Sequence, residues 1–225
     1  MFLRGVTSQP VSEHFPALDV IGSCRHTFVK RIPGIDVSHD KAEALKRLDA
    51  VHAEVRRSIG ARDWPLLTAE QVHGKKIAVI NGPIKSNKHF AGCDGFITNQ
   101  RGIALGIHVA DCCAIYIVDP HTPAIGLVHS GRKGSELAIV AEAIEGMTAQ
   151  FGSKTADLVV QLSPCIRPPH YEIDFAAQIV EQCRRRGVKQ IHDSGVCTAC
   201  DLGSYYSYRA EKGRTGRMLA LLGLR

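Results

Sequence analysis

The chain has 225 residues, of which 44% are hydrophobic and 22% charged, and it carries a net charge of +6. That length can bury a core without disulfides or a structural metal, so a bound metal would serve function rather than folding. Aromatic residues make up only 6%, too few for a stacking platform on single-stranded nucleic acid, while the mild positive field suits a small anion such as phosphate.

The segment Met1-Phe2-Leu3-Arg4-Gly5 turns polar too early for a signal peptide. The longest apolar run, Cys112 to Val118, is far too short to cross a bilayer. The expectation is therefore a cytoplasmic protein of one domain, residues 1–225, with no membrane or nucleic-acid partner. Its eight cysteines are expected as free thiols or metal ligands.

Along the chain, Asp40 with Glu43 has the form of a capping box. Leu45, Leu48, Val51 or His52, Val55 and Ile59 follow at helical spacing, and Gly60 ends the helix. Strand signals take over at Ile77–Ile80, Gly95–Thr98, Ile103–Ala110, Cys113–Val118 and Ala124–His129. Their apolar runs lack a clear two-residue alternation, as expected of strands buried on both faces. Leu137, Val140, Ile144, Met147 and Phe151 predict one long amphipathic helix, stopped by Gly152. Leu158–Leu162 reads as a strand. Asp174 caps a helix through Ala176, Ile179, Val180 and Cys183 that closes at Gly187, and a last short helix is expected around Met218, Leu219 and Leu222. This order favours an α+β fold, a layered α-β-β-α sandwich with mixed sheets, over a doubly wound parallel sheet. No GxGxxG or P-loop pattern supports a dinucleotide or NTP site.

Three places combine polar chemistry with strand ends. Asp111-Cys112 joins two apolar strands. His73 and His129 each stand beside glycine, near the start of one strand and at the end of another. Cys112 is open to two readings, a buried thiol beside a turn-forming Asp or a thiolate that binds metal or attacks substrate. Two histidines with one cysteine are the ligand set of an open zinc site, with a fourth position free for water or substrate. The separations of 39 and 17 residues are too long for a zinc knuckle but suit a site assembled from different strands. Cys197-Thr198-Ala199-Cys200 is a single CxxC without a second pair, which is weak evidence for metal or redox work. Cys165 reads as a packed thiol, His108 as a residue that can approach the pocket, and Asp174 as a helix cap before an acid or base.

The motifs Gln71-Val72-His73-Gly74, Cys93-Asp94-Gly95-Phe96-Ile97-Thr98, Ala110-Asp111-Cys112 and His129-Ser130-Gly131-Arg132-Lys133-Gly134-Ser135 stand in a distinctive order. Ser163-Pro164-Cys165-Ile166, Tyr171-Glu172-Ile173-Asp174, Ser207-Tyr208-Arg209 and Thr215-Gly216-Arg217-Met218 continue it. Together they resemble the bacterial laccase-domain, or polyphenol-oxidase-like, family, whose members include zinc-dependent purine nucleoside phosphorylases and adenosine deaminases. The resemblance implies zinc held by His73, Cys112 and His129 in a pocket at the ends of central strands. It implies a purine nucleoside and phosphate as substrates. Either phosphorolysis or deamination then follows, with Cys112 and Asp111 as catalytic candidates. Gln71, Lys133, Arg209 and Arg217 are the substrate-binding candidates, the last three as anion donors.

The chain resembles a divergent member. The family's usual His-Ala-Gly-Trp-Arg-Gly-Thr is altered here to Ser130, Arg132, Lys133 and Ser135, which removes an aromatic wall and a guanidinium fork. Copper oxidase chemistry is not expected, because none of the eleven histidines stand in a His-x-His pair. Two other readings remain: a metal-free cysteine hydrolase using Cys112 and His129, including one that edits cell-wall precursors, and an inactive nucleoside-binding homologue.

Overall fold

A computed structural model describes residues 11–225, so the polar N-terminal start at Met1–Gly5 lies outside the described residues. Two six-stranded mixed sheets lie face to face. The first contains β1 (Ser12–Glu13), β2 (Cys24–Val29), β3 (Leu66–Ala69), β5 (Lys88–Phe90), β7 (Ala104–Val109) and β12 (Met218–Leu224), in the order β1-β2-β12-β7-β3-β5. The second contains β4 (Ile77–Ile80), β6 (Gly95–Thr98), β8 (Cys113–Asp119), β9 (Ala124–Ser130), β10 (Val159–Leu162) and β11 (Gln190–Asp193), in the order β11-β10-β8-β9-β6-β4. Helix α1 (Pro16–Asp19) is a single turn. Helix α2 (Lys41–Ser58) packs on the outer face of the first sheet, with Ala44, Leu48, His52 and Val55 buried. Helices α3 (Arg132–Glu136), α4 (Ile139–Phe151) and α5 (Phe175–Arg185) cover the second sheet. The expected α+β sandwich with mixed sheets is the observed architecture.

Residue alternation along each strand divides the core in two. In β8, Ala114, Tyr116 and Val118 face the first sheet, while Cys113, Ile115 and Ile117 join the cluster under α4 and α5. Every residue of β8 and β9 is buried, which is why neither strand shows polar alternation in the sequence. Tyr116 is fully buried, and its hydroxyl donates to the Thr27 carbonyl at 2.8 Å, so this phenol is not stranded between the sheets.

Helix starts match the expected caps. The Asp40 carboxylate accepts the Glu43 backbone N–H at 3.0 Å, and Asp174 accepts that of Ala177 at 2.9 Å. Two expectations fail. The segment around Met218, Leu219 and Leu222 is not a helix but β12, a central strand between β2 and β7. Its seven residues are all buried, so its apolar positions reflect a strand packed on both faces rather than a helical stripe. The long helix expected from Leu137 starts only at Ile139, as α4, because Ala138 adopts a left-handed conformation at φ 55° and separates it from the short α3. Leu137 falls in that break and is exposed.

The topology creates one special edge. The chain passes from the first sheet to the second three times, between β3 and β4, between β5 and β6, and between β7 and β8. These crossings carry His73, Asp94 and Asp111-Cys112 respectively.

Candidate metal centre

His129 stands near the end of β9, paired with Ala114, and so shares the face of β9 that looks toward the first sheet. His73 and Cys112 come in from two crossings. One ligand atom from each of the three lies within 4.8 Å of those of the other two. The Cys112 Sγ lies 3.9 Å from His73 Nε2, and the two imidazole rings meet edge-on with centroids 4.8 Å apart. A thiolate and two imidazoles at this spacing fit a small divalent ion with one position left open. Cys113 does not compete. Its side chain lies on the opposite face of β8, in contact with the Ser163 carbonyl and hydroxyl.

Asp94 organises this trio and was not singled out as a functional residue by sequence reasoning. It is fully buried. Its Oδ1 accepts the His73 backbone N–H at 2.8 Å and pairs with His129 Nδ1 at 2.9 Å, while Oδ2 accepts the Gly74 N–H at 2.8 Å. The carboxylate thus holds the Nδ1–H tautomer of His129 and leaves Nε2 for the ligand position. Burial alone would raise the Asp94 pKa, but these hydrogen bonds and the His129 charge bring it below the ordinary value. The signal in the sequence was Asp94's place in a Cys-Asp-Gly step directly before a buried strand.

Charge is shared between the sulfur and the second imidazole. Burial pushes the Cys112 thiol up, yet His129 and His73 outweigh it and bring the thiol down to about 6. Burial pushes His129 down, and Cys112 and Asp94 together raise it to about 9. Without metal the two therefore form a thiolate–imidazolium pair at neutral pH.

The backbone around the centre is bent to place these groups. Gln71, His73 and Asp111 adopt left-handed conformations at φ 64°, 59° and 79°, each costing about 1 kcal/mol or more for a residue with a Cβ. Local hydrogen bonds offset this. The Gln71 amide donates to the His108 carbonyl at 2.6 Å and accepts the His108 N–H at 3.0 Å. Asp111 Oδ1 accepts the Thr198 hydroxyl at 2.7 Å, and Oδ2 accepts the Arg209 backbone N–H at 2.7 Å. Gly131 leaves space for the sulfur, since a Cβ there would stand 2.6 Å from Cys112 Sγ.

The trio lies on one wall of a cavity of about 740 Å³. Arg209 and Arg217, both expected, line it, as do Gln71 and Asp111. Lys133 is exposed and outside the lining, whereas its neighbour Arg132 is part of it. Lys41, at the start of α2, and Lys212 also line the cavity, and neither has a motif in the sequence to mark it. Arg209 stacks over Tyr171 at 5.0 Å and Arg217 over Tyr208 at 5.7 Å. His108 reaches the lining too, but its ring faces His52 of α2 with centroids 5.8 Å apart. Cys165 is a buried thiol, as expected. Glu172 pairs with Arg209, and Asp174 is occupied as a cap.

No helix among the described residues is long and apolar enough to cross a membrane. In known proteins, the YlmD purine nucleoside phosphorylase of Geobacillus stearothermophilus is 29% identical over 91% of this chain and 87% of its own. The ORF3 purine nucleoside phosphorylase of Streptomyces griseus is 26% identical over 75% of this chain and 78% of its own. The crystal structure of the Geobacillus YlmD superposes with a TM-score of 0.77 at 22% identity, covering 94% of both chains. That of the Bacillus licheniformis hypothetical protein YfiH does so at 0.78 and 20%, covering 90% and 93%. The sequence model described as multi-copper polyphenol oxidoreductase laccase matches residues 34–178 and 170–225, which take in every residue of the metal centre and its cavity, and the chain belongs to that family.

Proposed function

We propose that the protein is a zinc-dependent purine nucleoside phosphorylase acting on adenosine, inosine or methylthioadenosine, with adenosine deamination as a second reaction of the same centre. The observation that carries this reading is the position of His73, Cys112 and His129 on one wall of a cavity also lined by Lys41, Arg132, Arg209, Lys212 and Arg217. A soft metal centre beside five cationic side chains suits a reaction in which an anion meets a neutral nucleoside. The relatives named purine nucleoside phosphorylase supply the substrate class.

In phosphorolysis a phosphate oxygen bonds to the ribose C1′ as the bond to the purine nitrogen breaks. The bonding pair leaves with the purine, which takes up a proton, and ribose 1-phosphate is the other product. Arg209 and Arg217 hold the phosphate through charge-assisted hydrogen bonds, with Arg132 in the role expected of Lys133. Tyr171 and Tyr208 offer aromatic faces against which a flat base stacks. Asp111 acts as a positioning residue, since both its oxygens hold backbone or hydroxyl donors that fix the Cys112 loop. Gln71 is committed to His108 in the same way. Zinc on the three ligands would supply a Lewis acid and lower the pKa of a bound water. The copper chemistry in the family's name has less support, because no methionine among the described residues lines the cavity to complete a His2Cys-Met centre.

One further observation favours a second reading. The Cys112 thiolate beside protonated His129 is the pairing of a metal-free cysteine hydrolase. Chromatography of products from several purine nucleosides, with and without phosphate, together with metal analysis, separates the two. Phosphate-dependent release of free base by zinc-loaded protein supports the proposal. Zinc-free protein that cleaves amides or esters and is inactivated by alkylation at Cys112 overturns it.

A further inference from the structure

A second convergence of soft ligands lies away from the cavity and shares no residue with the first. Cys197 caps and Cys200 ends a single 3-10 turn, Thr198–Cys200, and this turn brings both sulfurs to the same imidazole. His170 Nδ1 lies 3.8 Å from Cys197 Sγ and 3.5 Å from Cys200 Sγ. One ligand atom from each of the three is within 4.8 Å of the others, and Cys200 and His170 are open to solvent. The sequence alone shows a solitary CxxC. The fold adds the histidine from a loop 27 residues away.

We propose that His170, Cys197 and Cys200 form a second metal site, for zinc or a similarly soft divalent cation, which ties together two loops behind the cavity wall. Two thiolates and an imidazole select such an ion over magnesium or calcium. A tetrahedral zinc with ordinary bond lengths sets its sulfur and nitrogen ligands roughly 3.6 Å apart, the separation seen between His170 and both cysteines. His170 and Cys200 are exposed, so a dissolved ion reaches all three from solvent.

The surrounding hydrogen bonds give the site a consequence. Thr198, between the two cysteines, is fully buried, and its hydroxyl donates to Asp111 Oδ1. Asp111 directly precedes Cys112, and its carbonyl accepts the Ile166 N–H at 2.8 Å. Cys197 itself bridges to Cys165 as a short parallel pair. On the other loop, His170 is followed by Tyr171, which lines the cavity beneath Arg209. A metal joining His170 to the CxxC turn therefore clamps the loop that carries Tyr171 to the loop that braces Asp111.

The test is metal binding by protein reduced with a phosphine under anaerobic conditions, using zinc in competition with a chromophoric chelator and cobalt as a spectroscopic probe. The Cys112→Ala variant, which disables the first centre, is expected to keep one equivalent of zinc and to show thiolate-to-cobalt charge transfer. Adding Cys197→Ser and Cys200→Ser should abolish both. His170→Gln, an exposed change that spares the core, should weaken zinc binding by tenfold or more while circular dichroism stays unchanged. Two results would overturn the site: a Cys112→Ala protein that takes up no zinc and gives no charge-transfer band, or one whose uptake survives loss of Cys197 and Cys200.

Discussion

The Asp94 carboxylate and the His129 imidazole meet at 2.9 Å inside the protein, and the same carboxylate caps the backbone of the His73-Gly74 turn. One buried side chain therefore sets the ring orientation of one candidate ligand and the backbone of another.

Removing that charge should loosen the metal more than the fold. Asp94→Asn keeps the shape but puts an amide where an acceptor is needed against two backbone N–H groups and an imidazole N–H. Zinc affinity is expected to fall by about 10–100-fold, as for other partners of ligating histidines. A competition titration against a chromophoric chelator measures it, and an unchanged dissociation constant would remove Asp94 from the centre.

Gly131 is held to glycine by the sulfur of Cys112. Its backbone is extended, at φ −100°, so alanine is conformationally acceptable there. The new methyl group would nevertheless stand 2.6 Å from Sγ. Gly131→Ala is expected to displace Cys112 and weaken zinc binding at least tenfold, with a small loss of thermal stability. A variant that binds zinc as wild type would show that the sulfur has room to move.

The metal-free protein should expose a reactive thiolate. Because His129 and His73 bring Cys112 down to about 6, its alkylation by iodoacetamide should rise to half its maximum near that pH as a macroscopic property of the pair. A free thiol would instead rise near pH 8.5. Mass spectrometry of the modified peptide reads this directly. Zinc should protect Cys112, and alkylation that ignores zinc would argue against Cys112 as a ligand.

Buried His26 should make the fold sensitive to mild acid. Its Nε2 accepts the Phe15 backbone N–H at 2.9 Å, which requires the neutral ring. Burial drives its pKa from 6.5 to about 4, against an opposing pull from Asp19. In the unfolded chain His26 takes up its proton near pH 6.5, before the folded protein does. Stability is therefore expected to fall as pH drops from about 6.5 to about 4, by up to ~3 kcal/mol from this group. Urea denaturation across that window should show the slope in wild type and a shallower one in His26→Gln. Identical slopes would assign the acid sensitivity elsewhere.

Arg209 gives the proposed reaction its own check. Its side chain is exposed, stacks on Tyr171 and pairs with Glu172, so little of the fold depends on it. Arg209→Ala should raise the KM for phosphate by about 10–100-fold, the scale of one lost charge-assisted hydrogen bond, with a smaller change for the nucleoside. Equal effects on both substrates would place Arg209 outside the phosphate site.

Much of this protein could be read from local pattern. The capped start of α2 at Asp40, the strands β4 and β6 with their full ranges, and the cap of α5 at Asp174 all follow from interactions within a few residues. The order of short motifs was enough to name the family and to place His73, Cys112 and His129 together as candidates. What local pattern lacked was the environment. Met218, Leu219 and Leu222 look helical by spacing, yet β12 lies between two other strands and is buried on both faces, so period alone cannot distinguish the two. The backbone reversal at Ala138 has no marker residue, and it cuts Leu137 off a stripe that otherwise forms α4.

The candidate metal centre was decided at the level of topology. Three crossings between the sheets bring His73, Asp94 and Cys112 to one edge, where β9 ends in His129. The residues adjacent in space are 17 to 56 apart in the chain, and no local interaction links them. Sequence alone therefore determined which residue types were available and that two histidines and a cysteine are a candidate metal-binding set. Tertiary structure decided that Asp94 orients that set, that Lys133 lies outside the cavity while Lys41 lines it, and that His170 joins the CxxC, because each of these depends on which loops two packed sheets bring together.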